Sequence, residues 1–358
     1  ASRLDVNEYS INRFYRNRLA RCFVGAARAE IRRPNPVTGF DQNDDLQMQV
    51  VRQRLDLDTT MPIPIINTAL NTVGGANAGL EERRAESFFF TPMAGYSGPT
   101  GRVSMEQLST GRLPGDVTLG SLIAISGAAA NPNMGYHTSA TVAFLLTFFN
   151  IRLGWWAGIP QRMRWWKRQF NLSYVFFELF GTADTDDAYV NLSDGGHFEN
   201  LGLYELVRRK CRLIVVGDGE EDGSYIFESL GMAIRRCRID FNAEIKIGVS
   251  PIQPAEEGGL CGRHWAVGEI TYADKSKGYL VYVKSSFTGR EPYDVKQYRY
   301  LHPEFPQQST GDQFFDESQF ESYRQLGLHA GEELMAVLLC KHAETRQEWV
   351  TAAKGLYR

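Results

Sequence analysis

The stretch from Tyr189 to Asp218, YVNLSDGGHFENLGLYELVRRKCRLIVVGD, limits more than any other what this chain can fold into. Tyr189 to Leu192 is a short β-prone run, and Ser193-Asp194-Gly195-Gly196 breaks it. Apolar residues at Leu201, Leu203, Tyr204, Leu206 and Val207 predict a helix between Glu199 and Lys210 that lies on a sheet. Arg212 to Val216 reads as a second buried strand, ended by Gly217-Asp218-Gly219. Strand, loop, helix and strand in this order is the unit from which parallel sheets are built. Asp194 has two readings. Asp-Gly is common turn and helix-cap chemistry. An acid at the carboxyl end of a strand also lies where active sites of α/β sheets are found, and the two glycines after it leave its approach open.

The flanking chain sorts into three segments. Residues 1–60 form an N-terminal helix and loop, with a basic helical run over Val6–Ala27 and the loop RRPNPVTGFDQNDD. Residues 61–255 form the core. MPIPIINTAL (61–70) and SFFFT (87–91) read as apolar strands, Pro92–Arg102 as a Gly-rich loop and Thr118–Ala130 as a helix of small residues. Ile226–Arg238 is an amphipathic helix and Glu244–Val249 a strand. Residues 256–358 are an extension. HWAVGEITYADKSKGYLVYVKSS predicts a β-hairpin around Asp274–Gly278, added to one edge of the sheet. A helix over Gln313–Gln325 and a terminal helix over Glu332–Ala353 follow. The alternation within 61–250 predicts an α/β fold with a mostly parallel central sheet.

Composition excludes several classes. Of 358 residues, 43% are hydrophobic and 23% charged, which permits an ordinary core. The net charge of −3 argues against a nucleic-acid partner. Five scattered cysteines without CxxC, and six histidines never at H-x-x-x-H spacing, predict free thiols, a reducing compartment, no metal site and no cofactor. Asp218, Glu220, Glu221 and Asp222 form an acidic loop, read as a solvated turn in preference to a cation site. Asn133 and His137 are read as cap and turn residues, with pocket lining as their second reading.

Trp155, Trp156, Trp165 and Trp166 cluster with Arg152, Arg162, Arg164, Lys167 and Arg168 after an apolar run. This is the composition of a membrane-interface anchor; the alternative is an aromatic helix end packed on the core or on another protein segment. No apolar run is long enough to predict a membrane-spanning helix.

The segments SLIAISGAAANPNMG and YVNLSDGGHFENLGLYEL together resemble the later half of patatin-like acyl hydrolases and the related cytosolic phospholipase A2 catalytic domains. SDGGHFENLGLYELVRR is similar to a bacterial branch of these proteins that carries membrane-spanning segments upstream. PIPIINTAL…ESFFFTP resembles the family's preceding strand pair. The resemblance covers residues 1–330 and implies a three-layer α/β domain. It also implies lipid acyl-ester hydrolysis by a Ser–Asp dyad in which Asp194 is the base, without histidine. Gly195, Gly196 and His197 would then lie against substrate, with His197 orienting the loop or acting as a surrogate acid–base group. The implied location is the cytoplasm, at the inner face of the membrane.

The chain departs from the family at the nucleophile. No serine has glycine at both −2 and +2, so the G-x-S-x-G elbow is missing from this sequence. Ser126 is the first substitute candidate and Ser97 the second. The other readings are a nucleophile on a segment or chain beyond these residues, and a non-catalytic subunit carrying only the acid half. In that last case the apolar strands at 61–70 and 87–91 would need cover from a partner.

Overall fold

The computed structural model describes residues 7, 11–28, 30–72, 83–108, 117–130, 153–159, 162, 188–256, 259–309, 311–312, 315–339 and 345–357. The chain divides into two compact units, Ala1–Asn200 and Leu201–Arg358. Their junction falls inside the segment expected to form one core.

In the first unit, helix α1 (Asn12–Leu19) continues through a π turn (Ala20–Val24) and a 3-10 turn (Gly25–Arg28). Helix α2 (Met48–Leu57) precedes strands β1 (Ile66–Asn71), β2 (Ala85–Phe90), β3 (Ala94–Ser97) and β4 (Gly101–Ser104). Helix α3 (Leu119–Ser126) and strands β5 (Trp155–Gly158) and β6 (Tyr189–Asp194) complete it. The sheet order is β4-β3-β2-β1-β6-β5, and every pairing is antiparallel.

The mostly parallel central sheet expected from the sequence is therefore incorrect. Three residues join β2 to β3, and three join β3 to β4. A parallel crossover needs a dozen or more residues, so these links can make only antiparallel pairs. The expected Gly-rich loop at Pro92–Arg102 holds β3 and the start of β4 instead. The apolar strands β1 and β2 are both interior to the sheet.

The core of this unit runs between α3 and the sheet. Leu122 and Ile125 meet Leu70, Phe88, Phe90, Trp155, Val190 and Leu192. The Thr118 side chain caps α3, accepting from Ser121 N. Asp45 accepts from Gly120 N at 2.8 Å and from the Thr118 hydroxyl at 3.0 Å, so a carboxylate sits at the positive end of the helix. Asp44, fully buried, pairs with Arg28 and Arg32 at 3.0 and 2.7 Å, which turns the expected loop at 32–45 into a braced one. Trp155 and Trp156 lie on β5, 5% and 2% exposed, within the protein and not on a surface helix. Trp165, Trp166 and the apolar run at 138–150 lie outside the described residues.

In the second unit, helix α4 (Leu203–Arg208), strand β7 (Leu213–Asp218), helix α5 (Glu228–Phe241) and strand β8 (Glu244–Ile247) come first. Strands β9 (Trp265–Thr271) and β10 (Lys277–Lys284) follow, then helices α6 (Tyr293–Leu301), α7 (Glu317–Leu339) and α8 (Arg346–Tyr357). The sheet order is β7-β10-β9-β8, with β7 and β10 parallel and the other pairs antiparallel. The β9–β10 hairpin forms with Asp274 to Ser276 at its turn, as the sequence suggested. It occupies the middle of the sheet and is not an addition to an edge. The strands expected to form one βαβ unit, β6 and β7, belong to different sheets. The C-terminal helices α7 and α8 pack Leu334, Leu338, Ala352 and Ala353 against Trp265, Tyr279 and Val281.

The acidic loop after β7 is mostly spent on structure. Asp218 is 5% exposed; its carboxylate stands 3.2 Å from Lys284 Nζ and accepts the Tyr282 hydroxyl. Lys284, 1% exposed, also donates to the Glu220 carbonyl at 2.7 Å. Asp222 accepts from the backbone of Ile226 and Phe227 at 2.9 Å each. Removing one member of a buried ion pair strands the other charge. We expect Lys284→Met to cost about 3–5 kcal/mol. Adding Asp218→Asn should restore part of it, read by urea unfolding of the single and double variants.

Candidate functional site

Strand pleating decides where Asp194 points. Val190, Leu192 and Asp194 alternate onto one face of β6, and the first two are core residues packed under α3. Asp194 therefore ends the strand on the face covered by helices, opposite Thr68 of β1 in the register. The other face carries a polar row. The Asn71 amide donates to Asn191 at 2.7 Å and to the Ser193 hydroxyl at 3.0 Å, and Ser193 meets His197 Nδ1 at 2.9 Å. His197 is thus held by the strand that precedes the loop.

Asn67 is the hub. The β1–β6 ladder stops at the Thr68–Asp194 pair, so the Asn67 carbonyl has no further strand partner on that side. The Ser126 hydroxyl, at the C-terminal end of α3, donates to it at 2.7 Å. The backbone of Gly195 approaches the same oxygen so closely that an added Cβ would stand 2.8 Å from it. Ser126, Asn67 and the Asp194–Gly195 turn are thereby gathered at one point. Ser126 spends its proton on a backbone carbonyl in this arrangement and not on Asp194. Ser97, the second serine candidate, is 1% exposed on β3, and its hydroxyl makes no hydrogen bond.

Burial raises the Asp194 pKa above the ordinary carboxylate value. The Gly196 N–H, donating to its Oδ1 at 2.7 Å, pulls the other way with smaller effect. Tyr15, on α1, is pushed up by burial first and by the Asp194 charge second. An added Cβ on Gly127, just after α3, would stand 2.8 Å from the Tyr15 hydroxyl. The site thus combines Tyr15, Asn67, Ser126, Asp194, Gly195 and Gly196. A desolvated carboxylate of this kind is suited to accept a proton from a nearby hydroxyl or water. Tyr15 and Asn67 were missed from sequence. Tyr15 sits in a basic helix without a motif, and Asn67 showed itself only as a polar residue inside an apolar strand. Asn133 and His137 lie outside the described residues.

The two glycines differ in what limits them. At Gly196 an added Cβ meets the side chain of Asn200, whereas at Gly195 it meets backbone. We expect Gly195→Ala to lower the melting temperature clearly more than Gly196→Ala. Asp194 yields a signed pH dependence. Its folded pKa lies above the unfolded value of about 3.9. The cost of burying the charge is therefore absent below about pH 3.9 and grows as the pH rises through the folded pKa. Asp194→Asn should raise the melting temperature near neutral pH, with the gain gone at about pH 3.5.

No protein-family profile matches the chain, and no curated protein sequence matches it. Among solved structures, human GIVD cytosolic phospholipase A2 is similar in fold, with a TM-score of 0.50 at 15% identity. The match covers 99% of this chain and 54% of that one, so the chain spans about half the length of the enzyme it resembles.

Proposed function

We propose that these residues form the acid half of a phospholipase-like acyl-ester hydrolase, with Asp194 as the base of a Ser–Asp dyad. The observation that carries this reading is the placement of Asp194. It ends a strand, desolvated and beneath helices, in a fold similar to that of a cytosolic phospholipase A2. A serine hydroxyl needs such a base to attack an ester. Asp194 takes its proton and passes it to the leaving alcohol as the acyl-enzyme forms; the freed carboxylate then activates the water that hydrolyses the acyl-enzyme. Gly195, Gly196 and His197 would lie against the substrate, while the Gly196 N–H orients the carboxylate.

Ser126 is the weaker choice of nucleophile, because its hydroxyl is held by the Asn67 carbonyl. The reading we prefer takes the nucleophile from chain beyond these residues or from a partner. The substrate is a lipid or another acyl ester. Trp165 and Trp166 keep the proposed role of membrane contact at the cytoplasmic face, while the burial of Trp155 and Trp156 removes those two from it. Among the described residues, no helix is long and apolar enough to cross a membrane.

Fluorophosphonate labelling followed by peptide mass spectrometry tests the nucleophile. We expect no labelled serine in this chain by itself and a labelled serine in a longer product or complex. In the active form, Asp194→Asn should reduce both labelling and ester hydrolysis by about 10³-fold or more at unchanged circular dichroism. Full turnover in a folded Asp194→Asn protein would remove the dyad. Labelling of Ser126 in the isolated chain would restore that residue as nucleophile.

A further inference from the structure

A second cluster of reactive side chains lies in the Leu201–Arg358 unit. His264 precedes β9 and is fully buried. His329 and Glu333 stand one turn apart on α7, and Glu291 precedes α6, 1% exposed. One ligand atom from each of His264, His329 and Glu333 lies within 4.8 Å of the others. His264 Nε2 is 4.0 Å from Glu333 Oε2 and 3.5 Å from Glu291 Oε1; His329 Nε2 is 3.5 Å from Glu333 Oε1. The two imidazole rings meet edge to face, with centroids 5.4 Å apart.

These distances are too long for good hydrogen bonds and close to the spacing of ligands around one ion. Two donors each about 2.0–2.1 Å from a tetrahedral ion lie about 3.3 Å apart. Two of the polar atoms are also orphaned: His329 Nε2 and Glu291 Oε2 are buried and make no hydrogen bond. A buried carboxylate oxygen without a donor costs stability unless a cation meets it. His264 Nδ1 lies 3.3 Å from the Ser286 hydroxyl, and Nε2, 3.4 Å from the Thr288 hydroxyl, faces the cluster. Arg290 binds Glu333 from its own side at 2.9 and 3.3 Å.

We propose that His264, His329 and Glu333, with Glu291 beside them, bind one divalent transition-metal ion, for which zinc is the best fit. Two imidazoles and carboxylate oxygens suit zinc better than magnesium or calcium, which take all-oxygen shells. The ion would pin α7 to the start of β9 and to the Glu291 turn, a structural clamp far in sequence from Asp194. The competing reading is an ion network of Arg290, Glu333 and the histidines with no metal.

The test is titration of the chelator-treated full chain with Zn²⁺ by calorimetry and with Co²⁺ by visible absorption. Expected are one ion per chain, a rise in melting temperature on zinc addition and cobalt d–d bands without thiolate charge transfer. His329→Ala should weaken binding by about 100-fold or more, and Arg290→Ala should leave it largely intact. Absence of binding by the parent chain at micromolar metal overturns the site, as does binding unchanged in His329→Ala. Thiolate bands would assign the metal to cysteine and overturn it too. Because the cobalt spectrum is read on the parent chain, a variant that fails to fold does not protect the proposal.

Discussion

The carbonyl oxygen of Asn67 holds together three parts of the chain that are far apart in sequence. It receives the Ser126 hydroxyl from the end of α3, and it tolerates the turn after β6 only because residue 195 has no side chain. This close approach lets β6 end against β1 under the helices, and so buries Asp194. The carboxylate's desolvation follows from that geometry, as does the strain expected from any side chain at position 195. The placement of α3 depends in turn on Asp45 and Thr118 at its N-terminal end, which fix where its last residue, Ser126, falls.

The two units use buried charge differently. Asp194 accepts from the Gly196 backbone and forms no ion pair among the described residues, so it carries a burial penalty suited to proton transfer. Asp218 has Lys284 and Tyr282, and so serves structure at the end of β7. Both acids close a strand and are followed by glycine. What separates the carboxylate proposed as reactive from the structural one is the partner that the fold supplies.

Local signals in the sequence were informative, and pairing signals were not. The break at Ser193–Gly196, the β9–β10 hairpin and helix α5 were all legible because they depend on neighbours within a few residues. Strand direction was not. Periodicity marks a segment as strand but carries no partner, and the strand–helix–strand run at 189–218 passes from one sheet to another. The three-residue links around β3 held the contrary evidence, hidden by glycines that read as loop. The tryptophan cluster misled for a related reason: aromatic and basic residues mark an interface anchor only on an exposed face, and Trp155 and Trp156 are buried on β5. The candidate site was legible at Asp194 through Gly196. Tyr15 and Asn67 join it only through tertiary contact, as do the paired histidines of the second unit, whose i,i+4 partner on α7 is a glutamate and not a histidine.

The most direct measurement is the titration of the Asp194 carboxyl in the folded chain by carbon-13 NMR, assigned by comparison with Asp194→Asn. A midpoint clearly above the ordinary value of about 3.9 is expected, and it would establish a carboxylate desolvated at the end of β6 and able to act as a base. A midpoint at or below that value would mean a solvated or cation-paired group, and would contradict both the site and the chemistry proposed for it.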